Sequence, residues 1–136
     1  MKYRRMPIEI ESPEQLGYGS IRYNLTESSV TDMRLDQLNL NLDLGKLALA
    51  YTDHRGKPEL RQMLASEAAG LSADDVLITA SAASALFIVA TSLLSAEDHL
   101  VVMRPNYATN LETPRAIGCR LDFLDLRFDE RWSFSL

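Results

Sequence analysis

Apolar positions in the second half of the chain follow helical and strand patterns in turn. Pro58 suits the first turn of a helix, and apolar residues spaced by three and four predict that this helix continues to Gly70. Its apolar stripe consists of Leu60, Met63, Leu64 and Ala68. Residues 76–79 predict a strand. Residues 81–94 are apolar nearly all round and predict a buried helix.

Two further strands follow. Residues 100–103 are apolar without alternation, as in a parallel strand buried on both faces, whereas residues 121–126 predict a more exposed strand. A helix is expected at about residues 107–117, where Pro114 would kink or split it before Gly118 ends it. Three strands alternating with two helices predict an α/β fold of βαβ units with a parallel sheet. So few strands leave that sheet incomplete.

The first part of the chain has weak periodicity and many turn residues. We therefore predict an N-terminal arm over residues 1–45 that packs on something else, and an α/β domain over residues 46–136.

Composition narrows the functional classes. The 136 residues are 46% hydrophobic and 24% charged, which indicates a globular protein, and the net charge of −5 does not favour nucleic acid as a partner. Arg4-Arg5, the one basic pair that stands out, is expected to be solvated.

The single cysteine, Cys119, fits a reducing compartment and a buried packing role. The apolar stretch at residues 82–96 is too short and too rich in Ser, Thr and Ala to span a membrane, and no signal peptide is recognised. We expect a soluble, cytoplasmic protein.

The junction between the strand at residues 76–79 and the next helix is the first candidate for chemistry. Ser81 can cap the helix, and Ala82 and Ala83 offer backbone N–H groups that no bulky side chain obstructs. A phosphate suits such a site. The alternative is a small-residue start to a tightly packed helix. The glycines of a P-loop or a dinucleotide fingerprint are absent.

Two tyrosines are further candidates. Tyr107 follows the strand at residues 100–103, and ligands of parallel sheets bind at the carboxyl ends of strands, so its ring could cover a flat ligand. It could equally pack under its loop. Tyr51 precedes Gly56, and its hydroxyl could donate to a phosphate. His54 and His99 are interpreted as surface residues, and neither a metal cluster nor a Ser/His/Asp set is recognised.

Taken together, these segments resemble the N-terminal part of a class I/II aminotransferase, a pyridoxal-phosphate enzyme of fold type I. The similar segments are residues 24–28, Tyr51 with residues 56–61, residues 76–86 and residues 98–107, and they have the family's order and spacing. The resemblance covers about residues 20–125. It implies a three-layer α/β large domain, here incomplete, with an N-terminal arm.

The resemblance also implies roles for particular residues. Ser81, Ala82 and Ala83 would line the phosphate of pyridoxal 5'-phosphate, and Tyr107 would stack on its ring. Tyr51 would reach the cofactor phosphate of a partner subunit, which implies a homodimer. The substrate-proximal residues would be Thr26, Glu27 and Ser28. Many relatives carry glycine, hydroxyl or amide residues where Ala82 and Ala83 stand, so the phosphate would depend more on backbone N–H groups.

The family's Schiff-base lysine has no counterpart here. The only lysines, Lys2, Lys46 and Lys57, precede the phosphate cradle. The resemblance implies amino transfer between an amino acid and a 2-oxo acid for a full enzyme. We predict that this polypeptide alone is inactive. We also predict that it is a recombinant fragment, a proteolytic remnant or a truncated gene product. The alternatives are another fold-type I reaction such as a lyase or decarboxylase, a non-catalytic α/β module for a phosphate-bearing ligand, or a structural fragment that associates through its sheet edge.

Overall fold

A computed structural model describes residues 1–4, 13–23, 25, 33–38, 40 and 43–134. The chain divides into two units. The helical unit comprises Ser12–Ile78, and the sheet unit comprises Met1–Glu11 with Thr79–Leu136. The predicted boundary between residues 45 and 46 stays a prediction.

The first part of the helical unit contains only short elements in its described residues. Helix α1 spans Pro13–Leu16, and 3-10 turns follow at Tyr18–Ser20, Leu35–Leu38 and Leu44–Lys46. The side chains described between residues 15 and 50 are exposed, apart from the half-buried Ile21. This segment therefore contributes no buried side chain among its described residues.

Helix α2 spans Pro58–Ser66 and begins as predicted, with Pro58 in the first turn. It ends four residues before Gly70, which lies in the following turn with a positive φ of 85°. The predicted apolar stripe is not buried, since Met63 for example is 67% exposed. Instead Arg61 and Ala65 form the buried face. The stripe stays exposed because an apolar face is buried only where another element packs over it.

Arg61 is the centre of the helical unit. It is only 4% exposed, and a buried guanidinium must be paired and hydrogen-bonded to be tolerated. Its Nε donates to Gly56 O at 3.2 Å, its Nη1 to Ala73 O at 2.7 Å and its Nη2 to Asp53 Oδ2 at 3.2 Å. One side chain thus ties the loop before α2 to the turn after it.

The predicted strand at residues 76–79 is absent. Val76 has extended backbone angles and Ile78 N donates to Arg55 O at 2.9 Å, but no ladder forms with the described residues. A strand needs a partner, which the local sequence does not specify. Gly56 lies beside this segment with a φ of 99°, and a Cβ there would lie 2.5 Å from Ile78 Cβ.

The sheet unit contains helix α3 (Ala82–Leu93), strand β1 (His99–Arg104), helix α4 (Ala108–Ile117) and strand β2 (Arg120–Asp125). The two strands are parallel, with His99 opposite Arg120 and Arg104 opposite Asp125. The predicted α/β class with a parallel sheet is confirmed. The described sheet has two strands, however, and not the three that the pattern predicts.

The core of the sheet unit lies around α4. Its buried residues are Val102, Leu111, Thr113, Pro114, Ala116 and Cys119. The predicted buried packing role of Cys119 is confirmed. The helix continues through Pro114 without a split, contrary to one expectation, and it ends at Gly118, whose φ is 106°.

Helix α3 and strand β1 are less covered than predicted. No residue of α3 is buried, although the helix packs against α4. Val102 is the one buried residue of β1, and Val101 is 67% exposed. Apolar sequence indicates a surface that can be buried, but burial requires a covering layer, which the described residues do not provide on these faces. No described helix is both long and apolar enough to cross a membrane.

Two turns share the spacing Ser-x-x-Asp. Ser72 N donates to Asp75 Oδ2 at 2.9 Å, and Ser95 N donates to Asp98 Oδ2 at 2.6 Å. Each serine hydroxyl adds a second hydrogen bond to the same carboxylate. Hydrogen bonds from the backbone and hydroxyl of the serine lower the pKa of each aspartate below its ordinary value of 3.8.

Gly56→Ala should destabilise the helical unit more than Gly70→Ala. Both glycines have a positive φ, which costs an L residue about 1–2 kcal/mol. Only at Gly56 does a Cβ also overlap Ile78, so its total cost should be about 2–4 kcal/mol. Urea unfolding of the two variants measures the difference, and equal costs would show that the contact with Ile78 is easily relieved.

The Ser95–Asp98 turn should make the sheet unit acid-sensitive. Since the pKa of Asp98 is lowered in the folded state, its contribution is present above the ordinary pKa of 3.8 and is lost as the pH falls through the lower folded value. Asp98→Asn should therefore lower the melting temperature at neutral pH and flatten its decline in acid. Glu97→Gln, which removes a charge from the same exposed turn, is the control. If the melting temperature of Asp98→Asn falls in acid as steeply as that of the unaltered chain, Asp98 is not the source of the acid sensitivity.

Candidate cofactor site

The start of α3 exposes backbone donors. Ser81 is the N-cap, and its Oγ accepts the N–H of Ser84 at 3.1 Å. Thr79 Oγ1 donates to Ser81 O at 2.9 Å and fixes the preceding turn. The N–H groups of Ala82 and Ala83 have no acceptor among the described residues. The predicted cap is confirmed, and it leaves two adjacent N–H groups available to an anion.

Ser84 adds a hydroxyl that the sequence analysis missed. Its Oγ lies 3.0 Å from Ser81 Oγ. Because one proton suffices for the bond between two hydroxyls, the second proton can be donated to a bound anion. Its position three residues after the Ser81 cap could have indicated this hydroxyl from the sequence.

The start of α4 carries the second predicted group. Tyr107 is the N-cap residue of α4, and its side chain is 58% exposed. It follows β1 directly, through the cis Arg104–Pro105 peptide and Asn106. The predicted aromatic residue therefore lies at the carboxyl end of a parallel strand, where ligands of such sheets bind.

An ion pair joins the carboxyl ends of both strands. Arg104 Nε and Nη2 donate to Asp125 Oδ1 and Oδ2 at 2.6 and 2.7 Å, and the guanidinium carbon lies 4.2 Å from the centre of the Phe123 ring. The hydrogen bonds from Arg104 lower the pKa of Asp125. The sequence analysis missed this pair, since only the strand register places the two residues opposite each other.

A groove of about 750 Å³ lies between α3 and α4 and reaches the first turn of each helix. Ala83 and Ser84 line it from α3, and Ala108 and Thr109 from α4. The structure thus places part of the predicted cradle across a groove from the residue that follows Tyr107.

The groove is lined by charges of both signs. Arg4, which was expected to be solvated, also lines the groove. Glu112 lies further along α4, where Arg115 pairs with it. An anion is favoured near the N–H groups and disfavoured near the Glu112 carboxylate.

The solved structures that are similar to this chain include two PLP-dependent proteins. One is a PLP-dependent aminotransferase from Streptococcus suis 89-1591, 22% identical with a TM-score of 0.80 over 98% of this chain and 37% of that chain. The other is the PLP-dependent cyclase OrfR, 30% identical with a TM-score of 0.55 over 61% of this chain and 22% of that chain. The chain therefore shares its fold with part of these proteins.

The chain spans much less than half the length of both solved structures. No protein-family model matches it, and no curated protein matches it in a sequence search. The assignment of the fold therefore rests on structural similarity.

The remaining candidate residues lie elsewhere. Tyr51 belongs to the helical unit, and its side chain is fully exposed. Thr26, Glu27 and Ser28 lie outside the described residues. The cofactor and substrate roles given to all these residues, and to Ser81, Ala82, Ala83 and Tyr107, stay predictions.

The two histidines differ in their surroundings. His54 lies in an exposed turn. His99, although partly exposed, has Nε2 2.7 Å from Asp122 Oδ2 on the neighbouring strand. The interpretation of His99 as a simple surface residue was therefore incomplete, because the strand register supplies its partner.

Proposed function

We propose that the sheet unit binds pyridoxal 5'-phosphate, with the phosphate at the start of α3 and the ring against Tyr107. The observation that carries the proposal is the pair of unblocked N–H groups at Ala82 and Ala83, beside the Ser81–Ser84 hydroxyls and across a groove from the start of α4. The similarity to two PLP-dependent proteins supports it.

The residues present fit the chemical parts of this cofactor. A phosphate needs several convergent donors, and the helix dipole adds about 0.3–1 kcal/mol for an anion at an exposed helix start. Ser81 and Ser84 supply hydroxyls at the start of α3, and Arg4 supplies a cationic group that lines the same groove as Ser84. The exposed ring of Tyr107 offers a flat surface for the pyridine ring.

When bound, the cofactor supplies an electron sink for chemistry at the carbon next to an amino group. The residues of this chain bind and orient it, and Thr26, Glu27 and Ser28 are proposed to lie near the substrate. Lys2, Lys46 and Lys57 all precede the cradle in sequence, so we propose that these 136 residues do not catalyse alone. For the complete enzyme we propose amino transfer between an amino acid and a 2-oxo acid.

A second candidate is a different PLP reaction, such as that of a lyase or decarboxylase. The cyclase OrfR, at 30% identity, supports keeping this candidate, because a PLP-dependent protein similar to this chain is described as a cyclase. A third candidate is a non-catalytic module for another phosphate-bearing ligand. ADP as a competitor distinguishes that module from a PLP-binding unit.

The chain should bind pyridoxamine 5'-phosphate. This probe carries an amine in place of the aldehyde, so it cannot bond covalently to Lys2, Lys46 or Lys57, and its fluorescence reports binding. Tyr107→Ala should weaken binding about tenfold through loss of ring stacking. Ala82→Glu should abolish it, since a carboxylate in the first turn repels phosphate while remaining favourable for the helix itself.

Two matched variants control for non-specific effects. Tyr23→Ala removes an exposed tyrosine, and Ala69→Glu adds a carboxylate to an exposed turn, both in the helical unit. Neither should change binding. The proposal fails if the unaltered chain does not bind the probe, or if ADP binds in preference to it.

The proposed homodimer can be tested by complementation. If Tyr51 contacts the phosphate bound by a partner subunit, Tyr51→Phe and Ala82→Glu chains should each bind the probe poorly. A mixture of the two should regain binding, because a mixed dimer combines one intact cradle with the partner's intact tyrosine. Sedimentation of the unaltered chain checks that it is a dimer. Normal binding by Tyr51→Phe alone would place the Tyr51 hydroxyl outside the site, and a dimer whose mixed variants recover no binding would contradict its contact with the partner's phosphate.

A further inference from the structure

We infer that Asn106 is a positioning residue that holds Tyr107 in place to cover the cofactor ring; this inference rests on the proposed function. Both ends of its side-chain amide are used. Nδ2 donates to Met103 O at 3.0 Å, and Oδ1 accepts the Tyr107 N–H at 2.8 Å and Asn110 Nδ2 at 2.9 Å. One side chain therefore connects strand β1, the loop and helix α4.

The backbone of Tyr107 depends on this connection. The residue begins α4 with extended angles, φ −65° and ψ 141°, and its own side chain makes no capping hydrogen bond. Its N–H would otherwise be solvated, and the hydrogen bond to Asn106 fixes the peptide plane from which the tyrosine side chain departs. Because Tyr107 is 58% exposed, neighbouring side chains restrain its ring little, and the backbone position contributes much of the ring's direction.

Asn106 is itself held from both sides. The bond to Met103 O fixes it to the penultimate residue of β1, and the bond from Asn110 fixes it to the first turn of α4. Aspartate at this position could accept from Tyr107 and Asn110 but could not donate to Met103 O. Alanine would lose all three bonds.

Ring direction matters because stacking between flat rings depends on their offset and tilt. An aromatic side chain whose peptide is not fixed loses rotational freedom on binding, which weakens the complex. Asn106 thus prepares the ring surface without contacting the cofactor, whereas the phosphate donors at the start of α3 belong to a different element.

The test compares two probes. Asn106→Ala should weaken binding of pyridoxamine 5'-phosphate about five- to tenfold and leave the binding of inorganic phosphate unchanged. Asn106→Asp should restore much of the affinity because it keeps the bond to the Tyr107 N–H. In a Tyr107→Ala background, Asn106→Ala should have no further effect, since there is no ring left to position.

A second readout needs no cofactor. Asn106→Ala should accelerate hydrogen exchange at the Tyr107 amide, whereas Asn110→Ala, which keeps the Asn106–Tyr107 bond, should change it little. Unaltered exchange overturns the inference. So does an equal loss of inorganic phosphate binding, which would indicate general damage, or an additive effect in the double variant. Failure of the unaltered chain to bind pyridoxamine 5'-phosphate overturns the proposed function instead, and the exchange result then decides separately whether Asn106 fixes Tyr107.

Discussion

Parallel pairing of β1 with β2 is the constraint on which the candidate site depends. Parallel strands cannot be joined by a tight turn, so residues 105–119 must cross over, and α4 forms within that crossing. The start of α4 then lies at the carboxyl end of β1, and the ion pair of Arg104 with Asp125 joins the ends of both strands there. The position of Tyr107 is therefore a consequence of strand pairing.

Features set by local backbone chemistry could be predicted from the sequence. Pro58, Ser81 and Gly118 each suit one helix-terminal position, and the structure places them at those positions. Burial could not be predicted in the same way. The apolar faces of α3 and β1 remain largely exposed, and residues 76–79 form no strand, because burial and pairing require a second element that the local pattern does not specify.

The candidate site shows the same division. The Ser81 cap and its two unblocked N–H groups follow from three consecutive residues, so sequence suffices. The pairs Arg104–Asp125 and His99–Asp122 join residues on neighbouring strands, and only the register brings them together. The groove contact of Arg4 depends on where the N-terminal residues lie against α3 and α4. Such long-range placements are set by tertiary structure, which has no signature in a short motif.

Because α3 is exposed, the phosphate donors at its start and the ring of Tyr107 must both contribute to the affinity of the proposed site. Ala82 is exposed and Ala83 is only half-buried, so water competes with a phosphate for their N–H groups and screens the helix dipole. Ser81 and Ser84 use part of their hydrogen-bonding capacity on each other and on the helix. In the proposed site, a phosphate at so exposed a helix start would be weakly bound, and the ring contact would have to supply the additional affinity. For that reason the fixed peptide of Tyr107, and the Asn106 amide that fixes it, matter more here than they would beside a deeply buried phosphate cradle.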